Sequence, residues 1–312
     1  MSDLLESRGG EPVFAGVELG GTKVVCGLAR SDGRLIERAS ISTRKASSTL
    51  NEIRGVLSDW REKHGPARAL GAATFGPIEL NSASPDYGLI GRSPKVLWRG
   101  VNLVEELAEC TPGPVVVQTD VNGAALGEAR WGAGVGMDPF VYITVGTGIG
   151  GGVLVGGQAL TGVQHPELGH MYVPRAPEDL YEGGCANHGD CVEGLAAGPS
   201  IVARWGARLS ELPEGHAAFR LISHYLAHLV VNVVLTVAPR RVVLGGGVMS
   251  NDALFPPVRK RVMALLGGFY APSSIDEDIE GYLVPPVLGG DAGVLGAAAL
   301  AMDAVSGGRQ GG

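Results

Sequence analysis

The sequence predicts an α/β protein built from two related halves with a cleft between them. Three observations lead there. A chain of 312 residues is long enough for two domains of ordinary size. Residues 13–19 form an apolar run, Gly20-Gly21-Thr22-Lys23 turns it, and residues 24–29 read as the returning strand. The same order recurs at 140–155, where an apolar strand (140–145) is followed by the turn Gly146-Thr-Gly-Ile-Gly-Gly-Gly152 and a further apolar strand (152–155).

The remaining elements follow from local pattern. Ser31-Asp32-Gly33 closes the second strand, and residues 35–42 form a third. Residues 47–64 have helical spacing at Leu50, Ile53, Leu57 and Trp60, with Ser47 or Ser48 as the cap and Gly65-Pro66 as the stop. Residues 67–74 make a small-residue strand. A Pro- and Gly-rich connection then runs from 75 to 100, long enough to be functional rather than a simple link. Asn102 caps a short helix reaching residue 110, residues 115–118 form a strand, and 124–131 are helical. In the second half, Gly156-Gly157 makes a hairpin turn. Residues 217–237 form a long helix with Phe219, Ile222, Leu226, Leu229, Val230 and Val233 on one side. Residues 241–244 are a strand leading into Gly245-Gly246-Gly247, and 252–266 and 291–302 are helical. The tail from Ser306 is expected to be disordered.

Composition excludes several classes. The net charge of −7 comes with dispersed Lys and Arg, which argues against nucleic-acid binding. The richest apolar run, 229–238, is short and interrupted by Asn232, well below the roughly 20 residues a bilayer span needs. The first residues lack the apolar core of a secretion signal. Four cysteines in a chain of this length make no secreted disulfide framework, so a cytoplasmic protein is expected.

The chemistry-bearing residues fall into four groups. His170, Cys185, His188 and Cys191 are the N and S ligand types that surround structural Zn²⁺, and the last three sit at every third position. The competing reading is a buried thiol pair with surface histidines. The turns at Gly20, Gly21, Thr22, Lys23 and at Gly146, Thr147, Gly148 can point successive backbone N–H groups into one concavity, as phosphate nests do. Neither is a Walker loop, and a strand rather than a helix follows the second. Asp120, after a strand, is placed to take a proton from a substrate hydroxyl attacking phosphorus; Asp120 or Asn122 as a plain helix cap is the alternative. His165-Pro-Glu167-Leu-Gly-His170 does not have zincin spacing, and Pro166 opposes a helix through its first histidine. There His165 and Glu167 can hold sugar hydroxyls.

Together these residues resemble the ROK family of bacterial sugar kinases and regulators, within the hexokinase–actin superfamily. The matching segments are Gly16-Val-Glu-Leu-Gly-Gly-Thr-Lys23, Thr119-Asp-Val-Asn122, Val145-Gly-Thr-Gly-Ile-Gly-Gly-Gly152, His165-Pro-Glu-Leu-Gly-His170, the Cys185 to Cys191 cluster and Val243-Leu-Gly-Gly-Gly-Val248, in the family's order and across nearly the whole chain. Three features are similar to its fructokinase branch. These are Glu18 where many glucokinases have Asp, the loop from Thr74-Phe-Gly-Pro-Ile78 to Ser93-Pro-Lys95, and His188 in place of a third zinc cysteine, within a run that continues to Gly198-Pro199.

The resemblance implies a two-lobed ribonuclease H-like, actin-like ATPase fold of duplicated mixed-sheet domains. It implies a small lobe of residues 1–119 with the helix at 291–304 packed back on it. The large lobe would be 120–290, including a zinc segment at 165–193. It assigns Asp120 as catalytic base and Asn122, His165 and Glu167 to the sugar. Gly20, Gly21, Thr22, Lys23, Gly146, Thr147 and Gly148 would line the phosphates of ATP. Gly198, Pro199, Gly245, Gly246 and Gly247 would lie near adenosine, and His170, Cys185, His188 and Cys191 would hold Zn²⁺. The implied activity is ATP- and Mg²⁺-dependent phosphorylation of a hexose, D-fructose first, with glucose, mannose or an N-acetylhexosamine as alternatives. The implied protein is a cytoplasmic homodimer. A sugar-sensing regulator is disfavoured, because only about a dozen residues precede the first strand, too few for a helix-turn-helix module.

Overall fold

A computed structural model describes residues 11–269 and 272–307. The described chain divides into two compact units, one formed by residues up to Gly127 together with those from Asp291, the other by Glu128–Gly290.

In the first unit, β1 (Val13–Leu19), β2 (Lys23–Arg30), β3 (Leu35–Ser42), β4 (Leu70–Thr74) and β5 (Val115–Thr119) form one sheet in the order β3-β2-β1-β4-β5. The hairpin strands β1, β2 and β3 pair antiparallel, whereas β4 and β5 are added parallel to β1. Helix α1 (Ala46–His64) buries Leu50, Ile53, Leu57 and Trp60, the side the sequence spacing marks. Neither Ser47 nor Ser48 is its cap. Lys45 holds that position without a side-chain bond, the Ser48 hydroxyl donates to the Lys45 carbonyl, and Thr49 Oγ1 accepts from the Arg44 amide. Helix α2 (Leu103–Leu107) is capped by Asn102, which accepts from the Val104 and Glu105 amides, and a 3-10 turn extends it to Cys110. Helix α3 (Asp120–Trp131) begins four residues earlier than its composition suggests.

The connection from 75 to 100 is folded onto its own unit. Bridges join Ile78 to Ile90 and Leu89 to Asn102. Trp98 is buried, meets Phe75 edge-on at 5.6 Å, and donates from Nε1 to the Arg44 carbonyl.

The second unit repeats the topology. Strands β6 (Phe140–Val145), β7 (Ile149–Val155), β8 (Gln158–Ala159), β9 (Arg241–Gly245) and β10 (Leu283–Val284) lie in the order β10-β9-β6-β7-β8. Again the hairpin strands are antiparallel and the later two parallel. Strand β7 starts three residues before its predicted first residue. Its Gly150–Gly152 stretch, readable as turn, pairs with β6 residues Tyr142–Thr144, and Leu168 packs where a side chain on Gly151 would stand. Two helices the sequence pattern leaves unassigned, α4 (Val192–Ala196) and α5 (Gly198–Trp205), follow the cysteine cluster.

Helix α6 (Ala217–Val237) is the core helix of this unit. Contrary to the sequence expectation, it is long and apolar enough to cross a bilayer, but 72% of its most apolar window is buried inside the protein. Hydrophobic cohesion with its own unit therefore accounts for its composition. Helices α7 (Phe255–Leu266), α8 (Ser273–Asp276) and α9 (Ile279–Tyr282) complete the unit.

The last helix, α10 (Ala292–Gly307), belongs to the first unit. It runs through Ser306 and Gly307, which the sequence assigned to a disordered tail; the rest of that tail lies outside the described residues. It approaches β4 so closely that a Cβ on Gly71 would collide with the Ala297 carbonyl oxygen, and one on Gly296 with the Gly123 backbone. These clashes are with backbone and cannot be relieved by a rotamer change. Gly71→Ala is therefore expected to lower stability by about 3 kcal/mol, at the upper end of overpacking costs. Urea unfolding should show a lower midpoint at unchanged slope; an unchanged midpoint would mean that α10 can shift at little cost.

Candidate active site and metal cluster

The β1–β2 turn of the first unit is closed by the Gly20 amide donating to the Lys23 carbonyl (3.0 Å) and held from below by the Thr43 hydroxyl, which donates to the Gly20 carbonyl (2.8 Å). The amides of Gly21 and Thr22 have no partner among the described residues, and both residues are exposed. Two unpaired N–H groups in one tight turn are the donor set of an anion nest. The sequence pattern did not assign a role to Lys95, yet its ammonium donates to the Gly21 carbonyl from a loop 74 residues away. Lys23, the first residue of β2, and Lys95 beside the turn bring two positive charges to this nest.

Asp120 stands where β5 ends and α3 begins, so the strand-tip and helix-start descriptions both apply. It is partly buried, and its Oδ1 accepts from the Val121 amide at 2.9 Å. Capping is done by its neighbour: the Thr119 hydroxyl accepts from the Asn122 amide at 3.2 Å. Asn122 is fully buried and donates through Nδ2 to Gln118 Oε1 at 2.9 Å, while its Oδ1 has no partner among the described residues. The Gln118–Thr119–Asn122 bonds, rather than local propensity, start α3 at Asp120, because the Val-Asn-Gly that follows is poor helix-forming sequence.

Glu18, near the end of β1, faces the start of α10, where any side chain on Gly293 would strike its carboxyl. Burial, and then the charge of Asp120, push this carboxyl from 4.5 up to about 7 against the pull of Lys23 and Arg38. The folded protein thus binds a proton here that the unfolded chain has already released. The cost is absent below pH about 4.5, grows as pH rises, and is complete above about 7, reaching on the order of 3 kcal/mol. Glu18→Gln should remove this loss. Urea midpoints measured from pH 5 to 8 should fall less steeply for the variant than for the unsubstituted protein, and equal slopes would contradict the account.

In the second unit three glycine segments meet at one end of β6. The Gly146 amide donates to the Gly148 carbonyl (2.8 Å), and the Gly198 amide at the start of α5 donates to the Gly146 carbonyl (2.8 Å). Gly246, at φ 89°, packs its Cα against Val145, and the Val248 amide donates to the Val145 carbonyl (2.9 Å). Thr147 is exposed at the crest. Gly146, Thr147, Gly148, Gly198, Pro199 and Gly245–Gly247 are therefore gathered in one place. Glu193 joins them without having been singled out in the sequence: its Oε2 accepts from the Ile149 amide at 2.9 Å and lies against Gly148.

His170, Cys185, His188 and Cys191 also converge. Cys185 Sγ lies 3.8 Å from His170 Nδ1 and 3.7 Å from His188 Nδ1, Cys191 Sγ lies 3.5 Å from His170 Nδ1, and the two Nδ1 atoms are 3.3 Å apart. A tetrahedral ion with bonds of ~2.3 Å to sulfur and ~2.05 Å to nitrogen sets S···N edges of about 3.6 Å and an N···N edge of about 3.3 Å. The four side chains fit such an ion and leave it no open position. Burial, and then Cys185, push the Cys191 thiol up, so it is a neutral thiol unless a cation sits beside it. The hairpin Cys185–Gly189, closed by two backbone bonds, and the 3-10 turn Leu168–His170 present the ligands.

On the latter segment, His165 Nδ1 lies 3.5 Å from Glu167 Oε1, and Glu167 Oε2 lies 4.0 Å from His170 Nε2. The His165 side chain is almost fully buried, and its Nε2 is without a partner among the described residues. Glu167 is half-exposed.

The ROK family profile matches residues 14–304. The chain belongs to the ROK family. A fructokinase of Zymomonas mobilis is 38% identical over 296 residues, covering 94% of this chain and 97% of that protein. A ROK hexokinase from Thermus thermophilus superposes with a TM-score of 0.76 at 28% identity, over 95% of this chain and 99% of that one. A ROK glucokinase from Streptomyces griseus, solved with glucose and AMPPNP, superposes with a TM-score of 0.72 at 27% identity, over 93% and 99%. The fold of this chain is thus the α/β, actin-like ATPase fold of ROK proteins, with two mixed sheets of the same strand order.

Proposed function

We propose that this ROK protein is an ATP-dependent hexose kinase that converts D-fructose to D-fructose 6-phosphate. One observation carries the reading. The strand tips lie in register, Leu19 beside Thr74 and Thr74 beside Thr119, so Asp120, which follows β5, stands at the same sheet edge where β1 enters the anion nest at Gly21 and Thr22. A base and a phosphate-binding turn in the same neighbourhood are what phosphoryl transfer to a hydroxyl requires. The 38% identity to a fructokinase favours fructose as acceptor.

In this reading Asp120 accepts the proton of the sugar's primary hydroxyl. His165 and Glu167 hold its other hydroxyls, the buried Nε2 of His165 gaining the partner it lacks. Asn122 acts from inside, fixing Gln118 and Thr119 so that Asp120 is presented at one angle. The two glycine turns hold the phosphates, and the Gly198 and Gly245–Gly247 segments take the adenosine. Glu18, Asp120 and Asp291 gather carboxylates in one neighbourhood, which would attract a Mg²⁺ ion. One or two of these carboxylates would hold Mg²⁺ together with the substrate phosphates, and the ion would supply charge neutralisation to the transferred phosphoryl group. His170, Cys185, His188 and Cys191 would hold Zn²⁺ as a structural ion, because all four positions would be taken by protein, and it would fix the segment carrying His165 and Glu167. We expect a cytoplasmic homodimer.

Glucose is the second reading, supported by likeness to the Streptomyces griseus glucokinase. A pocket built to bond particular hydroxyls discriminates strongly between sugars. The test is a coupled assay of ADP release over fructose, glucose, mannose and N-acetylhexosamines. The highest kcat/KM on fructose is the expected result. Preference for glucose would replace the acceptor, and activity on none would turn the reading toward a sugar-binding regulator.

A further inference from the structure

A groove of about 550 Å³ runs between the first turns of α6 and the later turns of α7. That is the size of a small organic ligand's pocket. None of its lining residues belongs to the glycine turns, the Asp120 region or the Cys185 cluster. His216, Arg220, Lys260 and Arg261 line it, and no carboxylate does among the described residues. On a chain with a net charge of −7, this is a local reversal of sign.

The cations differ in what they already bind. Arg220 is paired with Glu178, which stands outside the groove. Arg261 donates from Nη1 to His224 Nδ1 (2.6 Å), and His224 in turn bonds the Pro174 carbonyl through Nε2 (2.8 Å). Burial holds His224 below the usual histidine range, so it anchors the guanidinium as a neutral acceptor and leaves its charge uncompensated. Lys260 is exposed and has no hydrogen bond or ion pair among the described residues. The N-terminal turn of α6, a 21-residue helix beginning after His216, adds its positive dipole end to the same groove. Beneath these groups lie Phe219, Ala264 and Leu265, an apolar surface.

We propose that this groove binds an organic phosphate, with the dianion on Lys260 and Arg261 and an apolar or ring-shaped body over Leu265 and Phe219. Phosphate geometry suits the paired N–H groups of Arg261, with Lys260 as a point charge. The apolar surface accounts for a preference over inorganic phosphate. The site is additional to the nucleotide and sugar sites and does not depend on the kinase reading.

Phenyl phosphate is a direct probe. Calorimetric titration into the full chain, in the presence of a saturating non-hydrolysable ATP analogue, should show one site per chain. Inorganic phosphate should bind several-fold more weakly. Lys260→Glu, an exposed position with no contact to lose, should weaken binding at least tenfold while leaving the thermal melt unchanged. The proposal is overturned if the wild-type protein does not bind the probe, if the ATP analogue abolishes binding, or if Lys260→Glu binds as the wild type does. A Lys260→Glu chain whose mass in size-exclusion chromatography drops from dimer to monomer also overturns it, since the groove would then be an interface between copies.

Discussion

Asp120→Asn should reduce turnover by roughly three orders of magnitude or more while leaving sugar affinity nearly intact. The amide keeps the side chain's volume and an oxygen able to accept from the Val121 amide, as Oδ1 does at 2.9 Å. It cannot take up a proton. A positioned general base contributes about 10²–10⁴-fold, and in phosphoryl transfer the same group also orients the attacking oxygen. The substitution has a second, separable effect. Asp120 is the charge that, after burial, holds the Glu18 carboxyl high. Its removal should lower Glu18 part of the way, burial remaining the larger cause, so the pH-dependent stability loss between about 4.5 and 7 should shrink but not vanish. Coupled ADP release gives the first readout, and urea midpoints against pH give the second. Turnover near that of the unsubstituted chain would remove Asp120 from the chemistry, whatever the stability data show.

Much of the fold could be read residue by residue because local signals agree with tertiary demands there. The strand Val13–Leu19 ends at a Gly-Gly pair, and α6 is bounded by Gly215-His216 before it and Pro239 shortly after, so pattern and punctuation coincide. Elsewhere tertiary contacts override propensity. Helix α3 starts at Asp120 because Thr119 and the buried Gln118–Asn122 pair satisfy its first turn. Strand β7 carries a glycine at Gly151 because Leu168 occupies the space where a side chain would stand. The four Cys and His residues were recognisable because metal ligands must be particular residue types, and a loop needs only short spacings to gather them. Glu193 and Lys95 stand in segments quoted for the family resemblance, but local sequence assigned neither a role. Their significance comes from bonds to Ile149 and Gly21, 44 and 74 residues away.

Cys191→Ser is expected to lose the metal and, with it, sugar affinity. Cys191 is fully buried at the start of α4, with its sulfur 3.5 Å from His170 Nδ1. A serine oxygen is a poor ligand for Zn²⁺ at neutral pH, and the hydroxyl's shorter bond to Cβ leaves it short of the tetrahedral position. Three remaining ligands hold the ion weakly, and losing even a supporting group commonly costs 10–100-fold in affinity. Once His170 and His188 are no longer tied, the segment carrying His165 and Glu167 rests mainly on Leu168 under Gly151 and on backbone bonds such as that from the Val192 amide to the Met171 carbonyl. A KM for sugar raised about tenfold or more, with a smaller change in kcat, is the expected pattern, because the ion positions binding groups and does not touch the reacting atoms. Metal analysis should fall from one zinc per chain to well below it. Cys110→Ser, at a partly buried thiol outside the cluster, should keep its zinc and its KM, which separates loss of the ion from a general effect of removing a thiol. A Cys191→Ser protein that still carries one zinc per chain would mean that the ion, if bound, is held by a different set of side chains.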